Sequence, residues 1–163
     1  MTRYWDALTS PLGPIVLTGT GIELVSVQIG TDRPTEAASR DPGALRTART
    51  ELEEYLAGDR ATFTMALAPE GTAFRQQVWR ALCTVPYGTT ASYRDIADRI
   101  GNPKAVRAVG LANGANPIPI VIPCHRIIGA DGSLTGYSGG LDRKRWLLAH
   151  EAAHAPLPLA GIR

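Results

Sequence analysis

Apolar residues in the first third of the chain come in short bursts separated by turn-forming residues. Tyr4–Leu8 and residues 15–18 and 22–29 are rich in β-branched and aromatic side chains. Ser10-Pro11-Leu12-Gly13-Pro14 and Gly19-Thr20-Gly21 stand between them, which predicts three strands joined by tight turns. Residues 31–40 form a polar stretch with no period and are expected to be a loop. The period then changes. Asp41 caps and Pro42 opens a helix carrying Leu45, Ala48, Leu52, Tyr55 and Leu56 on one face, and Gly58 ends it. Residues 62–67 predict one more strand. Pro69-Glu70-Gly71 punctuates the chain as a domain boundary would.

Beyond that point the pattern is helical. Thr72 can cap a helix presenting Phe74, Val78, Ala81 and Leu82, stopped by Val85-Pro86-Tyr87-Gly88. Ser92 with Asp95 makes a capping box for a helix burying Tyr93, Ile96, Ala97 and Ile100. Gly101 closes that helix. Asn102 and Pro103 are expected to cap and open the next, giving a helix-turn-helix pair. There Ala105, Val109 and Ala112 face inward, while Lys104, Arg107 and Leu111 lie on another face. Residues 118–121 are apolar but too few for a helix, and residues 129–140 read as a loop. Asp142 is expected to cap a last helix with Leu147, Leu148 and Glu151. The expected organisation is residues 1–70, residues 71–152, and a frayed tail over 153–163.

Composition excludes little: 44% apolar and 20% charged residues describe an ordinary globular chain. No apolar run approaches the ~20 residues of a membrane span, and the start of the chain lacks the apolar core of a secretion signal. A cytoplasmic location is the expectation. Charge distribution says more than the net +2. Residues 1–74 hold 6 Lys/Arg against 10 Asp/Glu and residues 75–163 hold 11 against 5, so an acidic half precedes a basic one. That asymmetry fits a nucleic-acid-facing second half, and fits chance unevenness equally well.

The chemistry concentrates at Ile122-Pro123-Cys124-His125-Arg126. A thiol becomes a strong nucleophile as thiolate; His125 can take its proton, and Arg126 is expected to add positive potential nearby. Adjacent residues of an extended strand point apart, so Cys124 and His125 should meet through a turn or a bridging water. On its own the tripeptide leaves a structural cysteine open. Cys83, beside Leu82 on an apolar stripe, reads as structural. Two cysteines and three histidines without paired spacing predict no metal site.

The wider context carries more. Val85-Pro86-Tyr87-Gly88-Thr89-Thr90-Ala91-Ser92-Tyr93, Gly101-Asn102-Pro103-Lys104-Ala105-Val106-Arg107-Ala108-Val109-Gly110, Asn116-Pro117, the Cys124 segment, Tyr137-Ser138-Gly139-Gly140-Leu141 and Trp146-Leu147-Leu148-Ala149-His150-Glu151 follow in order. Over residues 72–151 this series resembles the O6-alkylguanine-DNA alkyltransferases. The resemblance implies an α+β fold: a small ribonuclease H-like domain, antiparallel sheet plus helix, then a helical, winged-helix-like domain. It implies that Cys124 accepts the alkyl group, that His125 deprotonates it through a water, and that Glu151 orients the imidazole. Tyr93 would assist the leaving purine, and Asn116 would brace the turn before the cysteine. Tyr137, Ser138 and Gly139 would wall the base pocket.

A guanine inside a duplex is out of reach, so the nucleotide must be flipped out at a cost of about a few kcal/mol. The resemblance gives Arg107 the role of filling the gap, on a helix whose small Ala108 admits close approach to the minor groove. Lys104, Arg75 and Arg94 are candidate phosphate contacts, and Arg143-Lys144-Arg145 reads as a solvated helix start. The implied function is irreversible, single-turnover transfer from O6 of guanine, and from O4 of thymine as an extension, by a monomer with no cofactor. Two other readings stay open. One is a binding-only sensor of alkylated DNA or helix-turn-helix regulator, whose relatives lack the acceptor cysteine. The other is a Cys-His hydrolase, which would turn over repeatedly.

Overall fold

The computed structural model describes residues 2–156. Strands β1 (Tyr4–Leu8), β2 (Ile15–Gly19) and β3 (Glu23–Ile29) form an antiparallel meander with Leu17 between Asp6 and Val27. Two short edge strands make the sheet mixed. β4 (Ser39–Arg40) runs parallel to β1 and β5 (Ala66–Leu67) parallel to β3, giving the order β4-β1-β2-β3-β5. The polar stretch 31–40 thus ends in a strand too short for its pattern to show. β2, at the centre, is buried along its whole length.

Asp41 accepts hydrogen bonds from Gly43 N and Ala44 N, and Pro42 opens a 3₁₀ turn leading into α1 (Arg46–Leu56). Leu45, Ala48, Leu52 and Tyr55 are buried as their spacing requires. Gly58, at φ +85°, provides the left-handed turn that ends the run. The strand expected over 62–67 survives only as Ala66–Leu67. The reason is Glu51, a buried carboxylate that accepts from Thr64 N (2.8 Å) and Met65 N (3.2 Å). Those amides are taken by a side chain and cannot join a ladder.

The second part packs α2 (Ala73–Leu82), α3 (Tyr93–Arg99) and α4 (Val106–Gly114) around Val78, Leu82, Ile96 and Val109. Thr72 caps α2, and the Ser92–Asp95 capping box opens α3. Trp79, which the helical pattern did not single out, is buried and donates from Nε1 to Ala112 O at 2.9 Å, pinning α2 to α4. Asn102 and Pro103 do not start α4. They form a turn in which Ala105 N bonds Asn102 O, and the helix begins at Val106 without a side-chain cap. Likewise α5 (Leu141–His154) is capped by Gly140, placing Asp142 inside its first turn. β6 (Ala91–Ser92) pairs in parallel with β7 (Ile127–Ile128), tying the start of α3 to the segment after Cys124. Residues 153 and 154 continue α5 rather than begin a loose tail; residues 157–163 lie outside the described residues.

Both parts share one hydrophobic core running from Leu8 to Leu147. Across it, Val27 N donates to Pro117 O (2.9 Å) and Arg143 Nε to Leu12 O (3.0 Å). No helix among the described residues is long and apolar enough to cross a membrane.

Replacing Glu51 by Ala should destabilise the protein by about 2–4 kcal/mol, because two backbone amides and the Thr64 hydroxyl lose their acceptor. Urea denaturation at pH 7 measures this; a midpoint unchanged from wild type would contradict the bracing role.

Candidate active site

Asn116 shapes the approach to the cysteine. Its Oδ1 accepts from Ile118 N (2.9 Å) and its Nδ2 donates to Ile122 O (2.7 Å), so one side chain brackets residues 118–122. Within that bracket Ile120 sits at φ +76°, alone among the described non-glycine residues. A β-branched residue there stores strain on the order of 1–3 kcal/mol, a cost that concentrates at functional sites. Cys124–Arg126 then makes a 3₁₀ turn before β7. Cys124 and His125 therefore lie in a turn rather than along an extended strand.

All of Cys124, His125 and Arg126 are buried. His125 Nε2 lies 2.7 Å from Glu151 Oε2. A carboxylate can only accept, so this contact sets the Nε2–H tautomer and leaves Nδ1 with its lone pair. Nδ1 is buried with no protein partner. Three further buried polar atoms have no partner among the described residues: Thr18 Oγ1 in β2, Tyr137 OH, and Oδ1 of Asn113, whose Nδ2 bonds Cys124 O at 3.4 Å. Such atoms are rare in native interiors, and two of them belong to residues beside Cys124.

Glu151 anchors the arrangement. Oε2 accepts from His125 Nε2, Arg126 Nη2 (2.9 Å) and Tyr55 OH (2.5 Å), and Oε1 from Arg126 Nε (2.8 Å) and Gly88 N (3.2 Å). Burial pushes this carboxyl up, but the hydrogen bonds from His125 and Arg126 outweigh it and hold the group far below the usual carboxylate range. Burial also lowers His125, against the pull of Glu151, so the imidazole rests neutral.

The thiol does not rest ionised. Burial pushes Cys124 up to about 11, against a hydrogen bond from Asn116 and the charge of Lys144. The expectation that Arg126 would supply positive potential to the sulfur fails, because both edges of its guanidinium are taken, by Glu151 and by Val85 O (2.7 Å). Lys144 does this instead. It is fully buried, donating from Nζ to Ile127 O (2.5 Å) and Thr135 O (2.8 Å), so within the basic run 143–145 the solvated reading holds for exposed Arg145 and fails for Lys144. With the thiol raised and the imidazole lowered by burial, the neutral thiol and neutral imidazole are the resting forms.

Tyr137 is buried near Cys124, while Ser138 is exposed and Gly139 half-buried. A side chain on Gly139 would meet the Tyr137 ring at 2.7 Å, so glycine there serves close approach within the loop itself. A cleft of about 420 Å³ runs beside it, lined by Asn116, Pro119, Tyr137, Ser138 and Gly139 together with Val27 and Gln28 of β3. Cys124 does not line it. Tyr93, half-buried at the start of α3, donates to Thr135 O of the same loop (3.1 Å). Arg107 and Ala108 are exposed on the first turn of α4 with Lys104 just before it, and Arg94 and Arg75 are exposed on α3 and α2. Arg107 forms no ion pair among the described residues. Cys83 is exposed at the end of α2, contrary to the buried placement its apolar neighbours implied.

Comparison with known proteins resolves what this arrangement belongs to. Residues 3–69 match the 6-O-methylguanine DNA methyltransferase ribonuclease-like domain, and residues 73–153 the DNA binding domain of the same family. A methylated-DNA–protein-cysteine methyltransferase of Mycobacterium bovis is 49% identical over 159 residues, covering 96% of each chain. This chain belongs to the 6-O-methylguanine DNA methyltransferase family. Among solved structures, the Mycobacterium tuberculosis O6-methylguanine methyltransferase superposes with a TM-score of 0.88 at 47% identity, covering 97% of this chain and 98% of that one. The M. tuberculosis protein in complex with DNA gives 0.88 at 49%, covering 94% and 95%.

Within this methyltransferase-family site, sequence reasoning overlooked Tyr55, Lys144 and Asn113. Lys144 was legible: with Leu147, Leu148 and Glu151 it falls on one helical face at i, i+3, i+4 and i+7. Tyr55 was seen only as a core residue, since its partner is 96 positions away.

Acid should unfold the protein in two stages. His125 and Glu151 both bind protons more readily unfolded than folded, so each contributes stability that disappears as pH falls. Melting temperatures measured from pH 8 to 3 should begin to drop below about 6.5 and fall more steeply below about 4.5. Glu151→Gln should make the lower limb shallower, leaving the part due to Glu51, and cost about 3–5 kcal/mol at pH 7, because Arg126 is left buried without its counter-charge.

Proposed function

We propose that this protein repairs alkylated DNA by direct, single-turnover transfer of a methyl or other alkyl group from O6 of guanine to the sulfur of Cys124. The observation that carries the reading is a buried cysteine followed directly in the chain by a buried imidazole whose Nε2 is committed to Glu151, leaving Nδ1 as the open base. The Cys124 proton passes to His125 Nδ1, through a water where the two do not touch. The thiolate then attacks the alkyl carbon in line. A carbon–sulfur bond forms, the bond from carbon to O6 breaks, and its electron pair leaves with guanine. Tyr93 stabilises the departing purine by donating to a ring nitrogen. The thioether has no easy leaving group, so each molecule acts once. Transfer from O4 of thymine follows the same chemistry.

The resting thiol fits this use. A permanently ionised buried sulfur would be costly to hold and open to oxidation, whereas a neutral one is released only when its proton has somewhere to go. The nucleobase must displace the loop around Tyr137 to reach a sulfur only 3% exposed. Asn116 holds the cysteine segment in register while that loop yields, and Ser138 and Gly139 line the entry.

In this reading residues 71–152 bind duplex DNA and accept the alkyl group, and residues 1–70 support them. The M. tuberculosis relative solved with DNA supports a DNA partner. Arg107, exposed on α4 and without an ion pair among the described residues, enters the stack from the minor groove as the nucleotide flips out, with Ala108 allowing close approach. Lys104, Arg94 and Arg75 contact phosphates. The protein acts as a monomer in the cytoplasm. A binding-only sensor has no use for a buried cysteine followed by an imidazole with an open Nδ1.

Incubation with a duplex carrying O6-methylguanine should add one methyl group to Cys124, read by intact mass and peptide mapping. Cys124→Ala should keep DNA affinity and transfer nothing; full transfer by that variant would refute the acceptor assignment. Arg107→Ala should slow repair of duplex DNA at least tenfold more than reaction with free O6-benzylguanine, since about a few kcal/mol of flipping cost falls only on the duplex. Equal losses on both substrates would remove the flipping role.

A further inference from the structure

We propose that Tyr55, contributed by the first part of the chain, is a positioning residue of the transfer site that sets how strongly Glu151 holds the His125 imidazole. The inference rests on the alkyl-transfer reading above and assigns the N-terminal part a chemical role beyond support.

The phenol is clamped to α5 at two points. Its hydroxyl donates to Glu151 Oε2 at 2.5 Å, and its backbone oxygen accepts from His150 Nε2 at 2.7 Å. Its ring packs edge-on to Tyr87 and tilted against Phe63 and His150. Tyr55 is fully buried. Burial and the neighbouring carboxylate raise its hydroxyl above the ordinary phenol range, so it remains a neutral donor at every working pH.

The oxygen it meets is the one that receives His125 Nε2–H, and Arg126 Nη2 donates there as well. Three donors on one oxygen share its electron density. Each weakens the others' hold, so the phenol draws charge away from the imidazole and keeps His125 less basic than Glu151 alone would make it. The neighbouring groups act differently. Arg126 shares the oxygen as a cation braced against Glu151 Oε1 and Val85 O, Lys144 is fixed to Ile127 O and Thr135 O, and Tyr87 makes no hydrogen bond to the carboxylate among the described residues, so Tyr55 is the neutral donor that can be removed without removing a charge. A phenol held only for packing would bring stability without altering the proton relay.

The test is the rate of benzyl transfer from free O6-benzylguanine to the full-length protein between pH 5 and 9, followed by intact mass. The free base bypasses DNA binding and flipping. Wild-type transfer to Cys124 establishes the underlying reading, and no transfer by wild type would end that reading first. Given transfer, the rate should fall on the acid side as His125 takes a proton. Tyr55→Phe should move the midpoint of that fall upward by about half a pH unit or more. Leu52→Val, one turn earlier on α1, loosens the same packing without touching Glu151 and should leave the midpoint in place. An unmoved midpoint in Tyr55→Phe, or an equal shift in both variants, would overturn the proposal. Should Tyr55→Phe not fold, 3-fluorotyrosine at position 55 keeps the shape and strengthens the donor. It should move the midpoint downward, and no movement there would overturn the proposal equally.

Discussion

The structure turns on a single buried carboxylate. Glu151 gathers hydrogen bonds from a histidine, an arginine, a tyrosine and a backbone amide that come from three separate stretches of chain. Burying an isolated charge is costly, and burying this one is tolerable only because donors surround it. That requirement orders the rest. It draws Arg126 inward, fixes the tautomer of His125, holds the turn before β6 through Gly88, and binds α1 to α5 through Tyr55.

Reactivity is built on concealment. The sulfur of Cys124 is buried and neutral, its segment bracketed by Asn116 and strained at Ile120, and its far side tied to the Tyr137 loop through Lys144. Lys144 is central to this, since one ammonium joins β7 to the loop that covers the site while remaining near the thiol. In the proposed reaction, this arrangement would keep the nucleophile inert until a substrate opens the loop. Unpartnered polar atoms on Tyr137, His125 and Asn113 are what such a site costs in stability.

Much of this was legible along the chain. The meander β1–β3, the Asp41 cap, the Thr72 cap and the Ser92–Asp95 box depend on neighbours within a few residues, and local rules placed them correctly. Where those rules failed, a distant group had intervened. Residues 64 and 65 left the strand because Glu51 took their amides. Asn102 lost its capping role because the chain makes a full turn before α4 begins. Cys83 looked buried because its neighbour Leu82 is, yet it falls where the helix ends and its side chain emerges.

The order of motifs from Val85 to Glu151 was enough to name the family and to single out a cysteine, an adjacent imidazole and a helix-borne carboxylate, because these chemical types survive in one dimension. Which cation serves which anion is another kind of fact. Arg126 sits two residues from Cys124 and serves Glu151; Lys144 sits twenty residues away and serves the thiol. Coulomb energy and hydrogen-bond geometry depend on separation in space and on the water excluded between groups. Only folding sets those, and so only the folded chain decided that the cysteine rests protonated and that a tyrosine from the first domain reaches the carboxylate behind it.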